Sequence, residues 1–309
     1  MEYPKKQRLE GEKDPSIINR RSFLLGAGAL TLTTVGAFEI IRHYLDPKVR
    51  LEELVDDSLK SCSLETSDSA SKIRVAFSDD EHIFDYQDPR VETLNYYSPP
   101  EETKARGQLT AGKNSYVISS VTEKDILSRD YADCSGAVFF AQTKDPHHPV
   151  AFQTHQDPGA FLYTHKNIDV SFFEDFNKRL QEFIAKTDQD TVSFAFFGGN
   201  FFDLPYSESF SNKEILQKSG RQDVDTNMRE HYIRSMLLLH KITRTYFPEK
   251  TARVIVGPNT TGGRIDVRTC TQEHLLVFRK PEQNPIPKGY NICTMREYLQ
   301  ALSKDQISP

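Results

Sequence analysis

The chain contains no tryptophan and only four cysteines, Cys62, Cys134, Cys270 and Cys293, in 309 residues. The cysteines are far apart and form no CxxC pair, which excludes a disulfide scaffold and a zinc ribbon. Positive charge is not in excess. The net charge is −5, so the basic footprint of a nucleic-acid-binding surface is missing. Glycine and proline stay near ordinary usage and no internal repeat is present, which removes fibrous and low-complexity classes. What remains is an ordinary globular composition, 37% hydrophobic and 27% charged, with 20 phenylalanines to fill a core. The length allows one large domain or two.

The N-terminus has a different character. Residues 1–21 are polar and carry Lys5, Lys6, Arg8, Lys13, Arg20 and Arg21; an apolar run from Ser22 to Ile41 follows, broken only by Glu39. Asn19-Arg20-Arg21-Ser22-Phe23-Leu24-Leu25 resembles the twin-arginine export signal, and Val35-Gly36-Ala37 offers small residues for cleavage after Ala37. Gly26, Gly28, Gly36 and the threonines Thr31, Thr33 and Thr34 keep the run only modestly hydrophobic. An uncleaved membrane tether through residues 22–41 is the alternative, because about 20 apolar residues span a bilayer. A buried soluble helix is the third reading. Residues 1–41 are therefore expected to direct export to the periplasm or the medium.

Residues 42–72 read as a short amphipathic helix, Arg50 to Lys60, usable as a stalk, followed by a Ser-rich linker, Ser61 to Lys72. Residues 73–309 are expected to hold the compact domain, starting near 73 or 110. Strands are expected at Ile73–Phe77, Ser115–Val121, Ala137–Gln142, Val150–Thr154, Thr191–Phe197, Ala252–Val256, Arg264–Val267 and Leu275–Arg279. Helices are expected at Ser171–Lys186, Asp223–Tyr246 and Thr294–Lys304. Strands outnumber helices and short turns join many of them, which predicts an α+β fold with a mixed β-sandwich core flanked by helices.

The chemistry concentrates in one hairpin, DCSGAVFFAQTKDPHHPVAFQTHQD, Asp133 to Asp157. Cys134 enters one arm and His155 leaves the other. A thiol needs a base or a positive field to become a nucleophile, and an imidazole at the same hairpin end supplies one. With the turn centred at Pro146, Cys134 faces residue 158, three positions from His155. At roughly 3.3 Å per residue that offset is about 10 Å, so an irregular turn or a bulge is required. Ser135 and Gly136 offer a small flexible segment whose N–H groups can face an oxyanion. Ser128 and Thr154 are candidate hydroxyls to orient the imidazole. His147 and His148 are ligand-type residues, but adjacent histidines in a Pro-flanked turn ordinarily face water. No metal and no cofactor is expected. Cys270 and Cys293 read equally well as a disulfide or as two thiols.

ADCSGAVFFA, VAFQTHQD, FAFFGGN, GRQDVDTNMREHYIRSML and VGPNTTGGRIDVRTCTQEHLLVFRK follow one another in order. Together they resemble the CheD-type chemoreceptor glutamine deamidases, which share a catalytic core with cytotoxic necrotizing factor-type toxins. The resemblance spans residues 115–280. Ala132-Asp133-Cys134 stands where the family has Leu-Gly-Ser-Cys, and His155 lies further from the cysteine than is usual in that family. The resemblance implies Cys134 as nucleophile, His155 as base and Ser128 at the position of the assisting hydroxyl. It also implies hydrolysis of a Gln side chain to Glu through a thioester, on a partner protein with an exposed Gln. Other thiol acyl-transfer chemistry (transglutaminase or amidase) and a non-catalytic binding module of the same fold are the alternatives.

Overall fold

The computed structural model describes residues 34–46, 48–63, 72–94, 116–129, 131, 134–156, 171–198, 228–256, 266–280 and 291–305. The chain divides into two units, Met1–Glu39 and Ile40–Pro309, and the second holds both sheets. The fold is α+β, and the described residues form eleven strands in two mixed sheets and five helices. The strands are β1 (Arg74–Ser78), β2 (Val91–Leu94), β3 (Tyr116–Ile118), β4 (Asp125–Ser128), β5 (Ser135–Gln142), β6 (Pro149–Gln156), β7 (Ser193–Gly198), β8 (Arg253–Val256), β9 (Val267–Cys270), β10 (Leu275–Arg279) and β11 (Asn291–Thr294). The helices are α1 (Thr34–Leu45), α2 (Leu51–Cys62), α3 (Ser171–Lys186), α4 (Met228–Tyr246) and α5 (Met295–Asp305).

The smaller sheet runs β1-β10-β9-β4-β2 and the larger β11-β8-β7-β5-β6-β3. The larger sheet is covered on both faces, which explains why β5 (SGAVFFAQ) and β7 (SFAFFG) are near-continuous apolar runs instead of alternating ones. Val138 and Phe140 of β5 join Ala195, Phe197, Ile126, Val267, Leu276 and Phe278 in the layer between the sheets. Ala137, Phe139 and Ala141 point the other way, into the helical layer with Phe172, Phe176, Phe183, Leu237 and Leu299. Phe139 centres an aromatic cluster, 4.8 Å from Phe152, 5.4 Å from Phe194 and 5.8 Å from Phe176 between ring centroids. These separations lie in the favourable range for aromatic pairs.

Helix α3 presents Phe172, Phe173, Phe176, Leu180 and Phe183 at helical spacing, and all five are buried. Helix α2 is part of the globular unit, not a stalk. Its buried face, Leu54, Val55, Ser58 and Cys62, packs on α4 and α5 and shares their apolar cluster through Leu54, Val55 and Cys62. Three arginines distant in sequence hold carbonyls at the end of α1, in the connection to α2 and at the end of α2. Arg234, buried in α4, donates to the carbonyls of Tyr44 at 3.3 Å, Asp46 at 3.4 Å and Val49 at 2.5 Å. Arg244 donates to Ser61 O and Arg296 to Cys62 O. Helix C-termini leave carbonyls unbonded and carry partial negative charge, so a guanidinium answers both needs.

The twin-arginine pattern and the apolar run up to residue 33 lie outside the described residues, as do Asn227, the asparagine of the GRQDVDTNMREHYIRSML segment, and most of the GGRIDV turn. The cleavage position expected after Ala37 falls within α1. Among the described residues, no helix is long and apolar enough to cross a membrane.

Candidate active site

The register of the β5–β6 hairpin decides whether Cys134 and His155 can meet. Ser135 pairs with Gln156 and Val138 with Gln153. The turn is therefore centred between Asp145 and Pro146, half a residue earlier than the sequence suggested. His155 falls opposite Gly136, two positions from Cys134 and not three, with equal residue counts on both arms. No bulge is needed. In a strand a one-residue change of register moves a side chain to the other face. Here it puts Cys134 and His155 on the same face, as diagonal neighbours whose backbones are about 7–8 Å apart in such a pair. That face lies between the two sheets.

The smaller sheet supplies the third residue. Ser128 ends β4, and its Oγ lies 2.8 Å from His155 Nδ1 and 2.9 Å from the carbonyl oxygen of Leu94. A carbonyl only accepts, and a hydroxyl has one proton. Ser128 therefore donates to Leu94 O and accepts from His155 Nδ1–H. This fixes the tautomer and leaves the lone pair on Nε2, the nitrogen a general base uses. Burial holds the His155 pKa down to about 3, so the ring is neutral. Thr154, the other candidate hydroxyl, has its Oγ1 occupied as acceptor for the Ala137 N–H at 2.8 Å, on the helical side of the sheet.

One expectation about neighbouring residues changes. Ser135 and Gly136 are not a flexible segment; they are the first residues of β5, paired with Gly198 and Phe197. Gly136 is required for space, since a Cβ there would lie 2.6 Å from Phe197 Cζ and 2.7 Å from Thr154 O. His147 and His148 sit at the closed end of the hairpin, about 20 Å from His155 at roughly 3.3 Å per residue. They are exposed, with His147 Nδ1 2.9 Å from Thr143 O. Among the described residues no three His, Cys, Asp or Glu side chains are grouped to hold a metal. Cys270 and Cys293 lie on different sheets and remain thiols; burial pushes each up to about 11.

Sequence reasoning missed Tyr131. Its ring stacks on the His155 imidazole with centroids 3.9 Å apart and planes 18° from parallel. It also meets Phe197 edge-on at 5.1 Å. Tyr131 and Cys134 belong to the same buried cluster, and loss of water contact pushes the phenol pKa of Tyr131 up. Only the short spacing from Tyr131 to Cys134 marked this residue in the sequence.

Several segments of the quoted motifs converge on this end of the sandwich. Gly198, at the end of FAFFGG, pairs with Ser135, and Val267, from GGRIDV, pairs with Ser128. Leu94, Gln156, Gly198 and Val256 are the last residues of their strands, all at this end. Comparisons with protein-family models, curated proteins and solved structures find no match for the chain.

Removing the Ser128 hydroxyl frees the imidazole to rotate and to change tautomer. Ser128→Ala is expected to lower any His155-dependent rate about tenfold or more, in the range of a general-base contribution. It is expected to cost about 1–2 kcal/mol of stability for the lost buried hydrogen bonds. Urea unfolding alongside Cys134 alkylation kinetics measures both.

Proposed function

We propose that the protein is a cysteine-dependent amide hydrolase that deamidates glutamine side chains of a partner protein. The observation that carries this reading is the tautomer-fixed, neutral His155 on the same sheet face as Cys134. The order of motifs that resembles CheD-type deamidases points to the same substrate class. In the reaction, Cys134 Sγ attacks the Gln side-chain carbonyl while His155 Nε2 takes the thiol proton. The C–N bond then breaks, and His155 returns that proton to the departing amine, releasing ammonia and leaving a thioester. Water, deprotonated by the same nitrogen, cleaves the thioester to Glu and restores the thiol. A neutral imidazole is the form that can accept the proton at each attack.

Cys134→Ser is expected to abolish ammonia release and the 1 Da Gln-to-Glu mass change in a substrate protein, with circular dichroism unchanged. Undiminished release sinks the reading. One observation favours a non-catalytic module instead: Cys134 is only 7% exposed. Iodoacetamide separates the two, because an activated thiol alkylates quickly at neutral pH and an inert buried one does not. For the cellular setting, we infer export from the Arg20-Arg21 pattern and the following apolar run. Fractionation of cells producing the full chain tests this, and recovery solely in the cytoplasm contradicts it.

A further inference from the structure

Tyr131 is tied down more thoroughly than packing alone requires. Its Oη donates to Thr154 O at 3.0 Å, the carbonyl just before His155. Gln153 Nε2, two residues before His155, donates to the same Oη at 2.8 Å. Thr269 of β9 in turn donates to Gln153 Oε1. A buried chain thus runs from the smaller sheet through Thr269, Gln153 and Tyr131 and ends against the imidazole. A ring held by stacking on one side and by a fixed phenol on the other has little freedom. Fully satisfied buried networks of this kind rigidify the groups they contain.

We propose that Tyr131 is a positioning residue for His155. Its ring lies against the imidazole, and the Gln153–Thr269 bridge keeps it there. It holds the imidazole in the plane that directs Nδ1 at Ser128 and keeps water off the face it covers. Ser128 sets which nitrogen carries the proton, and Tyr131 sets the orientation in which that choice is useful. The proposal rests on the reading of Cys134 and His155 as a nucleophile–base pair, but its test can be read without any substrate.

The full-chain protein is labelled with 15N-histidine and compared with Tyr131→Leu and Tyr131→Phe. In the wild type, the His155 ring nitrogens are expected to show one tautomer, protonated at Nδ1. In Tyr131→Leu they are expected to move toward the averaged shifts of an exchanging ring, and Cys134 alkylation at neutral pH to slow about a hundredfold, the penalty for a misplacement of about 1 Å. Tyr131→Phe keeps the ring and loses the phenol bonds. It is expected to keep the tautomer and slow alkylation by less than about tenfold, since orientation is then only partly lost. Folded Tyr131→Leu with wild-type shifts and alkylation overturns the proposal. If Tyr131→Leu does not fold, Tyr131→Met removes the ring while keeping an apolar side chain of similar length, and wild-type shifts and alkylation there overturn it equally. Failure of the pair reading looks different. His155→Ala would leave Cys134 alkylation unchanged, while the tautomer still responds to Tyr131.

Discussion

Acidification from pH 7 to pH 5 is expected to remove about 4 kcal/mol of folding stability through two buried histidines, His155 and His240. Both rings are buried and neutral, with pKa values held to about 3 by loss of water contact. In the unfolded chain each returns to about 6.5. Between these values the unfolded state binds protons that the folded state refuses, so stability rises with pH across this window. The contribution is complete above pH 6.5 and disappears as pH falls toward 3. Each ring accounts for about 2 kcal/mol at pH 5, a figure set almost wholly by the unfolded pKa because the folded one lies so far below. Typical domains are stable by about 5–15 kcal/mol, so this is a large fraction of the total.

His240 allows the two rings to be separated. It lies in α4, edge-on to Phe196, with Arg244 and Lys241 adding positive charge nearby. Neither of its ring nitrogens has a hydrogen-bond partner among the described residues. Leucine at this site removes buried polar atoms and keeps most of the volume. His240→Leu is expected to halve the histidine part of the acid sensitivity and to raise stability at pH 7 by about 1–3 kcal/mol, the cost of unsatisfied buried groups. Urea midpoints from pH 7 to pH 5 check both. A pH slope equal to wild type contradicts the assignment.

How far the sequence reveals this molecule depends on the range of the interaction that forms each part. The β5–β6 hairpin is legible because its signals are local: two apolar runs and a Pro-Asp turn between them. Helix α3 is legible from the spacing of its five phenylalanine and leucine side chains, and its bounds, Ser171–Lys186, fall where expected. Strands β2 (VETL) and β4 (DILS) are not. Each has four residues of mixed polarity and pairs with a strand distant in sequence, so no local pattern betrays them. Ser128 ends one of these strands, which is why its geometry needs the fold although its position is marked in the sequence. Tyr131 and Gln153 are harder still. Their roles come from the contact between two sheets, to which sequence periodicity is blind. Helix α2 is recognisable as a helix, but its arginine caps come from residues about 180 positions or more away.

Gly136→Ala is expected to damage both the fold and the site by adding a single carbon. The new Cβ would lie 2.6 Å from Phe197 Cζ, 2.8 Å from Phe197 Cε2 and 2.7 Å from Thr154 O. The carbonyl cannot retreat, because it belongs to β6 and accepts the Tyr131 phenol. The Phe197 ring is confined by Tyr131 at 5.1 Å and by Phe278 at 5.7 Å. Relief therefore requires Phe197 to push against Tyr131, and Tyr131 is stacked on His155. Overpacking of this kind costs about 1–3 kcal/mol. The displaced imidazole should slow Cys134 alkylation as a misplaced group does, by up to about a hundredfold. A double-mutant cycle locates the cause. Phe197→Leu shortens the opposing ring, and in the Gly136→Ala background it should restore part of both losses, with a coupling of about 0.5–3 kcal/mol between the sites. Additive effects would mean that the alanine is accommodated elsewhere, and would cut the mechanical link drawn from Gly136 through Phe197 and Tyr131 to His155.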